Sequence, residues 1–178
     1  MDTVTDRAGG VGRRLVVLRH AKAAWPDVAD AERPLAKRGL RDAPAAGRWL
    51  LEHGVLPELV VCSPARRTRQ TWELVAAQWD RVPPVDFDAR VYGAEGQGLV
   101  SVVRQLAPWL STVLLVGHQP AVQDLVLHVA AREAGAGLER LREKFPTSGI
   151  AVLEVAGPWA DLAAGSAHLA DFAVPRGG

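Results

Sequence analysis

The sequence predicts an α/β fold, a three-layer α/β/α sandwich around a mainly parallel sheet. Two patterns predict it. Short runs of valine and leucine alternate along the chain with longer amphipathic stretches, as in successive βα units. Most of these runs are apolar at every position, which is typical of strands that helices cover on both faces. The 178 residues are enough for one such domain.

The predicted strands are short, mainly apolar runs. The three clearest runs read Leu-Val-Val-Leu, Leu-Val-Val-Cys and Val-Leu-Leu-Val, and a weaker run and a final longer one accompany them. Near the end of the chain, His168–Val174 is either an extra edge strand or a packed tail. In chain order the predicted strands are Leu15–Leu18, Leu59–Cys62, Val85–Phe87, Val113–Val116 and Ile150–Val155.

Between the strands, apolar residues recur at helical spacing. Gly54 is a stop signal for the first helix. Pro44 lies inside that helix, which therefore either begins there or is kinked. In the second helix, Trp72, Val75 and Trp79 form an apolar stripe. The predicted helices are Gly39–His53, Pro64–Trp79, Leu99–Leu106 and Val122–Arg132.

Composition limits the possible functions. The net charge of +1 argues against a nucleic-acid or anionic-membrane partner. A single cysteine, Cys62, excludes an internal disulfide framework and a multi-cysteine metal site. Residues 1–12 are expected to form a flexible arm and residues 13–178 a single domain. Neither a signal-peptide pattern nor a run of about 20 apolar residues occurs, so we expect a cytoplasmic protein.

Histidines and arginines follow three of the predicted strands. Arg19 and His20 follow the first strand, Arg67 lies a few residues beyond the second, and His118 follows the fourth. Ligands of open α/β sheets bind beyond the carboxyl ends of the strands, so these side chains are expected to share one rim. The sequence thus predicts a site with two histidines and at least two arginines.

The start of the second helix is unusually basic. Ser63 is suited to cap the helix and Pro64 to its first position, with Arg66, Arg67 and Arg69 in the first two turns. Cations are unfavourable at a helix N-terminus unless an anion binds there. Helical spacing turns Arg67 toward the sheet and Arg69 toward solvent, and Arg66 is expected to be a solvated neighbour.

This set of residues indicates phosphoryl transfer through a covalent histidine, because a neutral imidazole can attack phosphorus while guanidinium groups bind its oxygens. Other chemistries lack their motifs. The arginine position of a Cys-x5-Arg phosphatase holds Thr68, and Asp86–Arg90 lacks the last element of an aspartyl-phosphate motif. The sequence has no phosphate-binding P-loop, no His-Glu-x-x-His and no Gly-x-Ser-x-Gly.

Three motifs resemble those of the histidine phosphatase superfamily, also called phosphoglycerate-mutase-like, and within it those of the small SixA-like phosphohistidine phosphatases. The resemblance covers about Arg14 to Val155. The motifs are Leu18-Arg19-His20-Ala21-Lys22, Ser63-Pro64-x-x-Arg67-x-x-Gln70-Thr71 and Gly117-His118-x-Pro120, with Arg33-Pro34-Leu35 and Arg38-Gly39 as further matches.

The resemblance implies a role for each matching residue. His20 would be the nucleophile that becomes phosphorylated, Arg19 and Arg67 would bind the phosphoryl oxygens, and His118 would complete the pocket. No cofactor is implied. The expected function is a metal-independent phosphohydrolase that acts on phosphohistidine in a partner protein. The alternatives are a small-molecule phosphomonoesterase of the same superfamily and a catalytically silent phosphate-binding regulatory module.

The superfamily's larger members also use an acidic proton donor after the second motif. The corresponding region here offers Asp86, Asp88 and Glu95, none in a family pattern. This departure argues against efficient hydrolysis of alkyl phosphomonoesters, because an alkoxide leaving group needs a proton. A phosphohistidine substrate needs less help, since its imidazole can be protonated before it leaves.

Several polar or aromatic residues near the motifs have an ordinary interpretation. Ser63 is expected to be only a helix cap and Lys22 a surface residue. Asp27 and Asp30 follow the first motif. They either approach the site or serve loop solubility, and loop solubility is the favoured interpretation. Trp25 is a candidate for the border of the pocket.

Overall fold

A computed structural model describes residues 12–132 and 135–178. The predicted arm at residues 1–12 lies, except for Gly12, outside the described residues. The described residues contain a six-stranded sheet with helices on both faces. The strands are β1 (Arg13–Arg19), β2 (Leu59–Cys62), β3 (Val85–Phe87), β4 (Thr112–Gly117), β5 (Ile150–Val155) and β6 (Ala167–Ala173).

The sheet is mixed, in the order β3-β2-β4-β1-β5-β6. The first four strands of that order are parallel, whereas β5 is antiparallel to β1 and β6 is antiparallel to β5. The prediction of a mainly parallel sheet is confirmed. Of the two alternatives for the last segment, the edge strand is correct.

Five helices connect or flank these strands in the described residues. They are α1 (Lys37–Glu52), α2 (Arg66–Ala76), α3 (Gly96–Arg104), α4 (Ala121–Val129) and α5 (Ala136–Glu143). Helix α1 starts before Pro44 and runs through it, so of the two alternatives for this proline, a start of the helix there is wrong. Helix α5 has no counterpart among the predicted helices. Its buried face consists of Leu138 and Leu141, too short a stripe to stand out in the sequence.

Two separate cores lie on the two faces of the sheet. Val16 packs with Leu50 of α1 and Val75 of α2, while Val17 packs with Leu125 of α4 on the opposite face. The helices thus form outer layers above and below the strands, which confirms the three-layer prediction. Truncating a fully buried leucine such as Leu50 to alanine is expected to cost about 2–5 kcal/mol of folding free energy.

The segment 174–178 folds back from β6 onto α1. There the buried carboxylate of Asp42 lies 3.3 Å from Arg176 and accepts the Gly177 backbone N–H at 3.1 Å. Arg176 also donates to the carbonyl oxygen of Thr147 at 2.8 Å. A Cβ atom on Gly177 would lie 2.2 Å from the Arg41 carbonyl oxygen, so this close approach requires glycine.

Candidate active site

The neighbouring strands β1, β4 and β2 deliver the predicted site residues to one edge of the sheet. Strands β1 and β4 end level, with Arg19 opposite Gly117, and β2 ends beside β4. The residues after the strands therefore meet, and the rings of His20 and His118 lie 5.3 Å apart. A cavity of about 310 Å³ at this edge is lined by Arg19, His20, Lys22, Ala23, Trp25, Asp30, Arg33, Arg67, His118, Gln119 and Thr147.

The ring of His20 is buried and has a defined tautomer. Its Nδ1 lies 2.7 Å from the carbonyl oxygen of Ala21. A carbonyl oxygen only accepts hydrogen bonds, so Nδ1 carries the proton and Nε2 keeps its lone pair. Burial, with smaller contributions from His118, Arg19 and Arg67, lowers the pKa of His20 to about 3. His20 is therefore a neutral imidazole with a free Nε2 lone pair at neutral pH.

Arg19 and Arg67 each donate hydrogen bonds from part of the guanidinium group. In each arginine another nitrogen has no hydrogen-bond partner among the described residues. Arg19 donates from Nη1 to the Phe145 carbonyl oxygen at 2.7 Å. Arg67 is buried and donates from Nη1 to the Asp30 carbonyl oxygen, also at 2.7 Å. Within the described part of the chain, the buried Nε of each arginine has no hydrogen-bond partner. Both arginines thus retain donor capacity beside the cavity.

His118 lies against Tyr92 and Ser63. Its Nε2 is 2.7 Å from the Ser63 hydroxyl oxygen, and its buried Nδ1 has no partner among the described residues. The Tyr92 ring meets the His118 ring edge-on at 5.6 Å. Burial is the largest cause that lowers the pKa of His118 to about 4, and Arg67 adds to it. The second histidine is therefore also neutral near pH 7.

Asp30 belongs to the site, so its assignment to loop solubility is wrong. Its carboxylate accepts from the Tyr92 hydroxyl at 2.7 Å, from Arg67 at 3.0 Å and from Arg33 at 3.1 Å. The Tyr92 hydrogen bond, together with Arg33 and Arg67, holds the pKa of Asp30 well below its usual range. Asp30 is the one carboxylate that lines the described cavity, and it is ionised at neutral pH.

Ser63 does not cap α2, contrary to the sequence-based expectation. The helix begins at Arg66, its N-cap residue is Ala65, and Pro64 lies outside it. The Ser63 hydroxyl is instead directed at His118 and accepts the Ala65 N–H at 3.3 Å. A serine that follows a strand and stands three positions before a helix resembles a cap in sequence, and its contact with His118 depends on the fold.

The phase of α2 agrees with the prediction. Arg67 is buried toward the site, whereas Arg66 and Arg69 are exposed. One turn further on, Thr71 accepts the Ala21 N–H at 3.0 Å and Gln70 accepts the Leu35 N–H at 2.8 Å. The second motif thus ties α2 to the loop that follows His20.

The first turn of α1 packs closely against the same loop. A Cβ atom on Gly39 would lie 2.2 Å from the carbonyl oxygen of Lys22, which explains why glycine stands there. At the mouth of the cavity, the Trp25 side chain is exposed (78%), and the guanidinium of Arg33 lies 3.3 Å from its ring centroid. Trp25, a candidate for the border of the pocket, does line it, and so does Lys22.

Other candidate groups lie outside the cavity. Asp86, Asp88 and Glu95 do not line it, and Asp88 pairs with Arg90 at 2.6 Å. Burial raises the pKa of the Cys62 thiol to about 12, so this thiol stays protonated. Within residues 12–132 and 135–178, no group of three or more His, Cys, Asp or Glu side chains is placed to hold a metal ion. In the same ranges, no helix is long and apolar enough to cross a membrane.

Comparisons with known proteins give a consistent picture. The family model of the histidine phosphatase superfamily (branch 1) matches residues 15–92. An uncharacterized protein of Mycobacterium tuberculosis is 43% identical over 162 residues, which cover 89% of this chain and all of that protein.

Two solved structures are similar over almost the whole chain. One, from Nakamurella multipartitia, is provisionally named a phosphohistidine phosphatase SixA. It has a TM-score of 0.82 and 34% identity and covers 92% of this chain and 96% of its own. The other, from Agrobacterium tumefaciens, is provisionally given the same name. It has a TM-score of 0.75 and 28% identity, and the match covers 92% of this chain and 98% of that one.

Proposed function

Because the chain belongs to the histidine phosphatase superfamily and is a phosphatase, we propose that it hydrolyses its substrate through a covalent phosphohistidine on His20. In this proposal Arg19 and Arg67 bind the phosphoryl oxygens and His118 completes the pocket. The observation that carries it is the neutral His20 with a free Nε2, in a residue that lines one cavity together with Arg19 and Arg67, each of which has a donor nitrogen without a partner among the described residues. Residues 13–178 act as a single domain, in the cytoplasm.

The first step is attack by His20 on phosphorus. A bond forms between Nε2 and phosphorus, the bond to the leaving group breaks, and its electron pair departs with that group. The ring keeps its Nδ1 proton, and the positive charge that develops is stabilised by the Ala21 carbonyl oxygen. Arg19 and Arg67 offset the phosphoryl charge, so this step needs no metal ion.

The second step is hydrolysis of the phosphorylated His20. Water attacks phosphorus, the P–N bond breaks, and its electron pair returns to Nε2. Because Nδ1 is already protonated, the ring leaves as a neutral imidazole. The proton of the attacking water leaves with phosphate or passes to solvent. Dividing the reaction in this way is ordinary covalent catalysis.

The chemistry of the leaving group supports phosphohistidine as the substrate. Asp30, the carboxylate of the cavity, is ionised and therefore holds no proton to give to an alkoxide. A phosphohistidine ring protonated on its second nitrogen leaves as neutral imidazole without an enzymatic acid. The names of the two similar solved structures favour the same substrate class. We propose that the phosphohistidine is carried by a partner protein.

The test is rapid quench with a ³²P-labelled phosphohistidine protein, followed by peptide mapping at alkaline pH. Label is expected on His20, as an acid-labile and alkali-stable phosphoramidate. His20→Ala should abolish labelling. The matched control is His128→Ala, because His128 lies on α4 outside the cavity.

Substrate preference is tested by assaying p-nitrophenyl phosphate and phosphorylated metabolites beside the phosphohistidine protein. Faster turnover of the metabolites would favour the small-molecule phosphomonoesterase. Phosphate binding without turnover of any substrate would favour the silent regulatory module. Label on Cys62, Ser63 or an aspartate would overturn the mechanism.

A further inference from the structure

The hydroxyl of Ser63 lies 2.7 Å from Nε2 of His118, and both residues are buried. The backbone of Ser63 is fixed independently, because its N–H donates to the Val116 carbonyl oxygen of β4 at 3.1 Å. The contact therefore joins the residues that follow two paired strands, β2 and β4. It holds the His118 ring from the side opposite its second nitrogen, Nδ1.

The hydrogen bonds of Ser63 determine which group donates in this contact. The Ser63 oxygen accepts the Ala65 N–H at 3.3 Å. Among the described residues, the sole acceptor within reach of the Ser63 hydroxyl proton is Nε2 of His118. A buried hydroxyl proton without an acceptor would cost free energy, so the hydroxyl donates and Nε2 accepts.

The tautomer of His118 follows from that direction. A neutral imidazole carries one ring proton, and with Nε2 accepting, the proton is on Nδ1. The low pKa of His118 agrees with a neutral ring. Nδ1 is also the ring nitrogen that remains for a substrate, because His118 lines the cavity and its Nδ1 has no hydrogen-bond partner among the described residues.

We propose that Ser63 is a positioning residue that holds His118 in its Nδ1–H tautomer, so that this ring donates a hydrogen bond to the phosphoryl group. The opposite tautomer would turn a lone pair toward the phosphoryl oxygens and repel them. The inference rests on the proposed function, since it concerns the same site. In this proposal His118 is a neutral hydrogen-bond donor, not a charged imidazolium. The other groups that surround it in the cavity are Arg19, Arg67, His20 and the ionised Asp30.

The primary test is the ¹⁵N spectrum of the histidine rings in the free, full-length protein. His118→Gln identifies the His118 signals by their loss. We expect the wild type to show the Nδ1–H tautomer at pH 7. In Ser63→Ala the proton should move wholly or partly to Nε2. An Nε2–H tautomer in the wild type, or an unchanged spectrum in Ser63→Ala, would overturn the inference.

Turnover supplies the second readout. Removing a donor to a transition-state oxyanion costs about 10²–10³-fold in rate. Ser63 acts through such a donor, so we expect Ser63→Ala to lose about 10-fold or more in kcat, with label still forming on His20. Ser63→Thr keeps a hydroxyl and should restore both the tautomer and most of the rate. Wild-type turnover in Ser63→Ala would contradict the inference.

The matched control is Thr68→Val. Thr68 carries another buried hydroxyl of the same turn, and it donates to backbone carbonyl oxygens of Ser63 and Ala65 rather than to His118. The control should keep the wild-type tautomer. If Ser63→Ala does not fold, the wild-type spectrum and Ser63→Thr still decide the matter. Absence of label on His20 in the wild type would refute the proposed function and leave the tautomer result standing.

Discussion

The carboxylate of Asp30 and the guanidinium of Arg67 form an ion pair with an O–N distance of 3.0 Å inside the cavity where a phosphoryl group is expected. The backbone carbonyl oxygen of Asp30 accepts a hydrogen bond from a second nitrogen of the same guanidinium at 2.7 Å. A bound phosphoryl group therefore meets an arginine that already has an anion beside it. Phosphate that binds Arg67 is therefore expected to compete with the Asp30 carboxylate for the guanidinium group, and this competition lowers the affinity of the site for phosphate.

Replacing Asp30 by asparagine is expected to tighten the binding of inorganic phosphate. The change removes a competing negative charge and keeps a side chain of similar size. Asp30 is half exposed, so solvent screens the effect, and we expect about a 3–10-fold lower inhibition constant. Phosphate inhibition of turnover measures it. Asp27→Asn, in the same exposed loop, is the control, and weaker phosphate binding in Asp30→Asn would show that Asp30 mainly orients Arg67.

Replacing Arg67 and replacing Arg69, both on α2, should have very different effects on turnover. Arg67→Ala is expected to lower turnover by about 10²-fold or more, the scale for losing a transition-state donor. Arg69→Ala should change turnover little, because Arg69 is exposed on the opposite side of the helix. Steady-state kinetics on both variants decides this. Similar losses at both positions would be incompatible with the assigned role of Arg67.

Chelation should leave activity intact. In the proposed mechanism the phosphoryl charge is offset by Arg19 and Arg67, so turnover is expected to persist in excess EDTA. The measurement is turnover before and after dialysis against the chelator. Loss of activity that a divalent ion restores would contradict the mechanism.

The stability of the protein should decrease as the pH falls below about 6.5. His20 and His118 have folded-state pKa values lowered to about 3 and about 4, so the unfolded chain binds more protons in this window. Each buried histidine can then destabilise the fold by up to about 1.4 kcal/mol per pH unit. Urea unfolding at pH 7 and pH 5 measures the slope. His20→Gln should flatten it, and an unchanged slope would contradict the burial of a neutral ring.

Local sequence patterns were enough to predict much of the fold and to predict that Arg19, His20, Arg67 and His118 meet at one edge of the sheet. Apolar runs predicted the strands because buried strands need apolar side chains on both faces. The position of Arg67 followed from helical spacing, although α2 begins two residues later than expected. His20 and His118 could be placed together because parallel strands end at the same edge of a sheet.

The missed features depend on contacts between distant parts of the chain. Asp30 could not be recognised because its partners, Arg67 and Tyr92, come from other segments and only the fold brings them together. The prediction that Ser63 caps α2 is wrong for the same reason, because its hydrogen bond with His118 joins residues that are far apart in the sequence. Side chains that act through such tertiary contacts can be recognised only in the folded structure.

The anchoring of residues 174–178 on Asp42 has a practical consequence. Arg176 connects that buried carboxylate to Thr147, which lines the cavity, and Gly177 fits only without a side chain. A side chain at position 177, as in Gly177→Val, is therefore expected to push residues 174–178 off α1 and, through Arg176 and Thr147, to disturb a wall of the cavity. Such a variant is expected to lose activity while most of the fold stays unchanged, so this short segment supports the cavity from outside it.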